Sequence, residues 1–159
     1  MARFHDRLRA RVEEIVAPES VEAMVTLSSV TGGSQPSYNA EQAYANDRGL
    51  DPTLRMNDRS GGFGLLCALG PAHLHFLSAE GNMRSGDIAL DWTTMRDTAT
   101  VHHRRAGLPG ARNRLFHFTF EDGRYYLGSA PEARLARSTI NDPRAMLRAL
   151  GSQATEVDG

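Results

Sequence analysis

The chain has 159 residues, 40% of them hydrophobic and 23% charged, with a net charge of −1. That length suits one domain with a core of its own, and that composition excludes wholesale disorder. A charge so near neutrality gives no global drive toward nucleic acid or an anionic surface, so any such binding must come from a local patch. All 18 basic residues are arginine. This removes a phosphate-loop lysine, a Schiff-base lysine and a Ser–Lys dyad together. The lone Cys67 lies in the apolar run Phe63–Leu69, the setting of a small buried hydrophobe and not of a reactive thiol. Met1 to Arg11 lacks an apolar signal core, and Gly70, Pro71, His73 and His75 interrupt the longest apolar region. The expectation is a cytoplasmic, soluble protein without a transmembrane segment.

Phe4, Leu8, Val12 and Ile15 are spaced by four, four and three, which makes one stripe on an amphipathic helix. Pro18 ends it, so residues 1–19 form an N-terminal helical segment expected to dock on its own domain. Ala23, Val25 and Leu27 alternate with Glu22, Thr26 and Ser28 as in a half-buried strand. A long polar loop follows at 31–60, with a short helix expected over Glu41–Arg48. Phe63–Leu69 and Ala72–Ser78 read as two strands joined at Gly70-Pro71. Ile88–Trp92 reads as a strand with Ile88, Leu90 and Trp92 on one face. Thr98–Arg105 follows as another, and Arg104–Arg114 as a loop rich in Gly, Pro and Arg. Arg114–Phe120 and Arg124–Leu127 flank Asp122-Gly123, a hairpin turn that exploits glycine's tolerance of positive φ. Asp142 as N-cap, Pro143 as first helical residue and Gly151 as stop define a C-terminal helix. Residues 152–159 are expected as a frayed, flexible tail.

This order of elements resembles the pleckstrin-homology-like (PH-like) domain, in particular the short bacterial relatives of PH and GRAM domains. Ile88-Ala89-Leu90-Asp91-Trp92-Thr93-Thr94-Met95-Arg96-Asp97 is similar to that family's central tryptophan-bearing strand exit, and Phe118-Thr119-Phe120-Glu121-Asp122-Gly123-Arg124 to its last hairpin. The resemblance implies an α+β, mainly β fold over residues 20–151. It would be an open barrel of about seven antiparallel strands with a C-terminal capping helix, carrying the N-terminal helix as an addition. Leu69-Gly70-Pro71-Ala72-His73-Leu74 replaces a Thr-Asp-Arg-Arg turn common in such domains, and their basic phosphoinositide motif is not recognisable. The implication is therefore a binding module without a lipid specificity.

Three constellations carry chemistry. His73 and His75 share a strand face and could form half a metal site, with His102, His103 and His117 as further ligands. No carboxylate or cysteine stands at ligand spacing around them, so no metal is expected and no cofactor either. His102 or His103 with Asp91 or Asp97 could make an oriented general base, the alternative reading of a small acid–base enzyme. No nucleophile or oxyanion site accompanies them, so no catalytic residue is assigned. Arg104, Arg105, Arg112 and Arg114 stand at the two shoulders of one loop and could grip a phosphate or carboxylate. Aromatics do not interleave with them, which argues against nucleic acid. The expected function is a non-enzymatic module for a protein partner or an anionic ligand, with a homo-oligomer left open. Trp92 is expected in the core.

Overall fold

The computed structural model describes residues 2–29, 43, 45–54, 56, 65–79, 88–106 and 112–157. Its elements in chain order are α1 (Ala2–Val16), β1 (Ala23–Ser29), β2 (Leu65–Leu69), β3 (His73–Ala79), β4 (Ile88–Met95), β5 (Ala99–Ala106), β6 (Asn113–Phe120), β7 (Tyr125–Pro131), α2 (Pro143–Leu150) and β8 (Ala154–Glu156). The fold is α+β and mainly β. The strands neighbour one another in the order β4-β3-β2-β1-β7-β6-β5-β8, which does not close on itself. The first stretch of β1, Ala23–Leu27, pairs with β2, and Ser28 and Ser29 then pair with β7. One strand thus joins two halves of the sheet.

The halves enclose a common core. Val25, Leu27, Cys67 and Phe76 from one side meet Val101, Phe116, Phe118 and Tyr126 from the other, and Met146 and Leu150 of α2 complete it. Phe76 lies edge-on to Phe118 and Phe120, with ring centroids 5.5 and 5.9 Å apart. The opposite face of the first half is apolar too, because α1 covers it. Leu8, Val12 and Val16 pack against Met24, Leu66, Ala68 and Leu77. This is why Leu65–Leu69 is buried along its whole length and reads as an unbroken apolar run: a strand covered on both faces has no polar side. The N-terminal stripe therefore packs on its own domain. Burying each of Leu8, Val12 and Val16 stabilises the fold by about 1.5–3 kcal/mol. Arg9 pins the helix by donating to Thr139 O and Val21 O, each at 2.9 Å.

Turn chemistry is where the sequence placed it. Gly123 takes φ 92° in the β6–β7 hairpin. Asp142 accepts from Ala145 N at 3.1 Å and Gly151 closes α2. At the β2–β3 turn, Glu19 accepts from the backbone of Ala72 and His73, and any Cβ at Gly70 would collide with its carboxylate.

Expectations change in β4 and at the C-terminal end. β4 carries a bulge: Phe76 pairs with Trp92 but Leu77 with Leu90, leaving Asp91 as the extra residue. Ile88 therefore faces α1 while Trp92 joins the main core, and Leu90 is exposed; the three do not share a face. Trp92 itself is partly buried against that core, and the Arg124 guanidinium lies 4.2 Å over its ring. Residues 152–157, expected as a frayed tail, form part of a 3-10 turn and β8, which pairs in parallel with β5. At the two ends of the expected 104–114 loop β5 runs to Ala106 and β6 begins at Asn113, while 107–111 lie outside the described residues. Of the 31–60 loop, residues 45–54 are described, with a helical turn at 45–47 and a 3-10 turn at Pro52–Leu54. The rest of that loop, apart from 43 and 56, lies outside the described residues, as does the start of the expected 41–48 helix.

Candidate anion site at the β5–β6 end

Strand alternation decides which arginines meet. Along β5, Ala99, Val101, His103 and Arg105 point to the main core side, while Thr100, His102 and Arg104 point to the opposite face, where the partners of the last two, His117 and Leu115, are buried. The β6 partners on the inner side are Phe120, Phe118, Phe116 and Arg114. The inner face is thus aromatic for most of its length and turns cationic toward the Ala106–Asn113 end. β7 continues the pattern, with Gly128 opposite Phe116 and Ala130 opposite Arg114. Glu132, two residues on, keeps to that side, with its N–H bonded to Arg112 O at 2.9 Å.

Arg114 is a buried strut. Its side chain is 5% exposed and donates from Nη2 to Glu132 Oε1 at 2.7 Å, and the Glu132 side chain is 7% exposed. Nη1 donates to His103 Nδ1 at 3.1 Å and lies 3.6 Å from Glu156 Oε1 on β8. Because Nδ1 accepts, His103 is the neutral Nε2–H tautomer. Burial first, then the Arg114 charge, holds its pKa below the ordinary histidine value. Two buried atoms of this group, Glu132 Oε2 and Arg114 Nε, take no hydrogen bond among the described residues.

Outside the strut lies a cavity of about 310 Å³ lined by Arg105, Arg112, Glu132, Ala133, Arg134 and Arg144. Arg134 comes from the 3-10 turn after β7 and Arg144 from the first turn of α2. Four arginines around one carboxylate make a local positive field in a nearly neutral chain. A second cavity, of about 340 Å³, is lined by Thr94, Met95, Thr98, Phe120, Glu121 and Asp122; it has no cation among its lining residues.

Of the four arginines singled out from the sequence, Arg105 and Arg112 line the cavity, Arg114 props it from below, and Arg104 points to the other face of the sheet. Arg134, Arg144 and Glu132 were missed. Their types and positions carried no local signal, and only the return of β7 and α2 to this end brings them in.

The histidines do not converge. His73 and His75 lie on β3, with four strands between it and β5 in the sheet order. His73 Nδ1 is 2.7 Å from Glu19 Oε2, and His75 Nδ1 is 3.0 Å from Thr93 Oγ1. No group of three or more His, Cys, Asp or Glu is arranged to hold a metal among the described residues. His103 takes Arg114 as its partner, and His102 is paired across the strands with His117. Asp97 belongs to the 3-10 turn before β5, and the strand between that turn and His102 spans about 13 Å. Cys67 is fully buried, and burial pushes its thiol pKa up. His117 is fully buried, and its pKa is pushed down from 6.5 to about 3, by desolvation first and then by Arg104, His102, Arg48 and His103.

That shift has a measurable consequence. The folded protein keeps His117 neutral between about pH 3 and 6.5, whereas the unfolded chain takes up a proton there, so the stability present above pH 6.5 is lost as the pH falls. Urea unfolding at pH 6.5, 5.5 and 4.5 should give a decline in unfolding free energy to which His117 contributes up to about 1.4 kcal/mol per unit. A His117→Gln protein should show a correspondingly flatter decline; equal slopes would place this histidine in a wetter setting than the fold gives it.

No protein-family model matches the chain, and neither the curated proteins nor the solved structures compared with it include a match. Among the described residues, no helix is long and apolar enough to cross a membrane.

Proposed function

We propose that this chain is a non-enzymatic binding module of PH-like architecture that takes an anionic ligand in the arginine-lined cavity at the β5–β6 end. The antiparallel order β4-β3-β2-β1-β7-β6-β5 with a helix after β7 supports the PH-like reading. The observation that carries the ligand reading is the meeting of Arg105, Arg112, Arg134 and Arg144 around one cavity. Their guanidinium forks suit phosphate or carboxylate oxygens. The buried Arg114–Glu132 pair beneath ties β6, which begins just after Arg112, to the chain just past β7 that leads to Arg134. The acid–base alternative is weaker, because His103 Nδ1 is engaged by Arg114 and His117 is sealed in the interior.

The test is a pyrophosphate titration followed by backbone amide NMR. Shifts should gather at Arg105, Arg112, Glu132–Arg134 and Arg144, and affinity should fall steeply with added salt. The Arg112→Ala/Arg144→Ala protein, altered at two exposed side chains, should bind at least about tenfold more weakly. Shifts centred on the histidines, or no shifts at all, would overturn the reading.

A further inference from the structure

A pocket built only to attract negative charge has no use for a carboxylate in its wall, yet Glu132 lines this one. Its Oε1 is taken by Arg114 at 2.7 Å. Its Oε2 is buried and takes no hydrogen bond among the described residues. Arg105 Nε stands 3.9 Å from Oε2, beyond hydrogen-bond reach. A buried acceptor left in that condition is costly, and it is relieved by any ligand that brings a donor. Arg105 is 56% exposed, so its guanidinium can shift onto an incoming anion and open Oε2 at small cost.

We infer that the site selects a phosphate that still carries a proton, with Glu132 Oε2 accepting that O–H while Arg105, Arg112, Arg134 and Arg144 hold the remaining oxygens. The inference rests on the anion-binding reading and adds its chemical class. Sulfate has the same tetrahedral shape and double negative charge but no proton at neutral pH. It would place a bare oxygen against Oε2, and the repulsion of two unprotonated acceptors in a half-buried site discriminates strongly. Inorganic phosphate keeps an O–H throughout the neutral range. A phosphate monoester keeps one only below its second pKa, about 6. The two sources therefore differ in pH dependence: inorganic phosphate binds at pH 7.5, whereas a monoester such as glycerol phosphate gains affinity as the pH falls through 6.

The experiment compares inorganic phosphate with sulfate by amide NMR and calorimetry on the full chain at fixed ionic strength and pH 7. Phosphate should bind at least about tenfold more tightly than sulfate. In the Glu132→Gln protein, whose side-chain amide donates to a bare oxygen, the ratio should fall to within about threefold through a gain for sulfate. Arsenate against selenate repeats the comparison on the unaltered protein, and arsenate should follow phosphate. Should the glutamine variant fail to fold, that second pair decides the matter. Equal binding of phosphate and sulfate at the arginine cavity would overturn the proton selection and leave the anion site standing. Failure of every one of these anions to bind there would remove the anion site and the selection with it.

Discussion

Replacing Phe76 by alanine should lower the unfolding free energy by about 3–5 kcal/mol, a large share of the stability of a domain this size. Phe76 has no exposed surface. Its ring centroid lies 5.5 Å from Phe118, 5.9 Å from Phe120 and 5.7 Å from Trp92, the first two edge-on and the third stacked. It therefore joins β3 of one half to β6 of the other, beside Trp92 of β4, whose ring centroid lies 4.6 Å from that of Phe120. Alanine would lose both the transfer free energy of the ring and the contacts across the seam. The rigid strands on either side leave little room for collapse, which places the cost toward the upper end for a Phe→Ala change. Phe76→Leu, which keeps more of the volume, should cost clearly less. Urea denaturation checks both. A loss below about 1 kcal/mol for alanine would mean that the two halves do not share one packed core.

What could be read from the sequence was local. Asp122-Gly123, Gly70-Pro71 and the Asp142-Pro143…Gly151 frame act within a few residues, and each stands where its chemistry put it. The stripe Leu8, Val12 and the run Leu65–Leu69 likewise follow from burial on one face or on two. The bulge at Asp91 is different. It comes from how β4 fits against β3, and one extra residue there reversed the facing of everything before it. β8 is three residues that pair only because α2 and its 3-10 turn lead them to the edge of β5. At the candidate site, period-two alternation through Val101, His103 and Arg105 already separates Arg105 from Arg104. The loop expected from the glycines and proline between Arg105 and Arg112 falls, over 107–111, outside the described residues. Arg134 and Arg144 were beyond any local rule, because what unites them with Arg105 is the path of the chain after β7.

Arg114→Met should be the second severe change, at about 3–5 kcal/mol, because it strands the Glu132 carboxylate in a site where its side chain is 7% exposed. The loss reflects an uncompensated buried charge, not the net worth of the pair. Replacing both residues, Arg114→Met with Glu132→Leu, should therefore recover most of the stability, since a well-packed apolar pair avoids the desolvation of two ions. Arg105 supplies a finer test. It already stands 3.9 Å from Glu132 Oε2, close enough to move in when Arg114 is lost. Arg105→Ala alone should cost little, as expected of an exposed side chain. Combined with Arg114→Met, it should cost more than the sum of the two single changes, with a coupling on the order of 1 kcal/mol. Chemical denaturation of the four proteins closes that cycle. Strict additivity would show that Arg105 does not reach Glu132, and would detach the exposed wall of the cavity from its buried support.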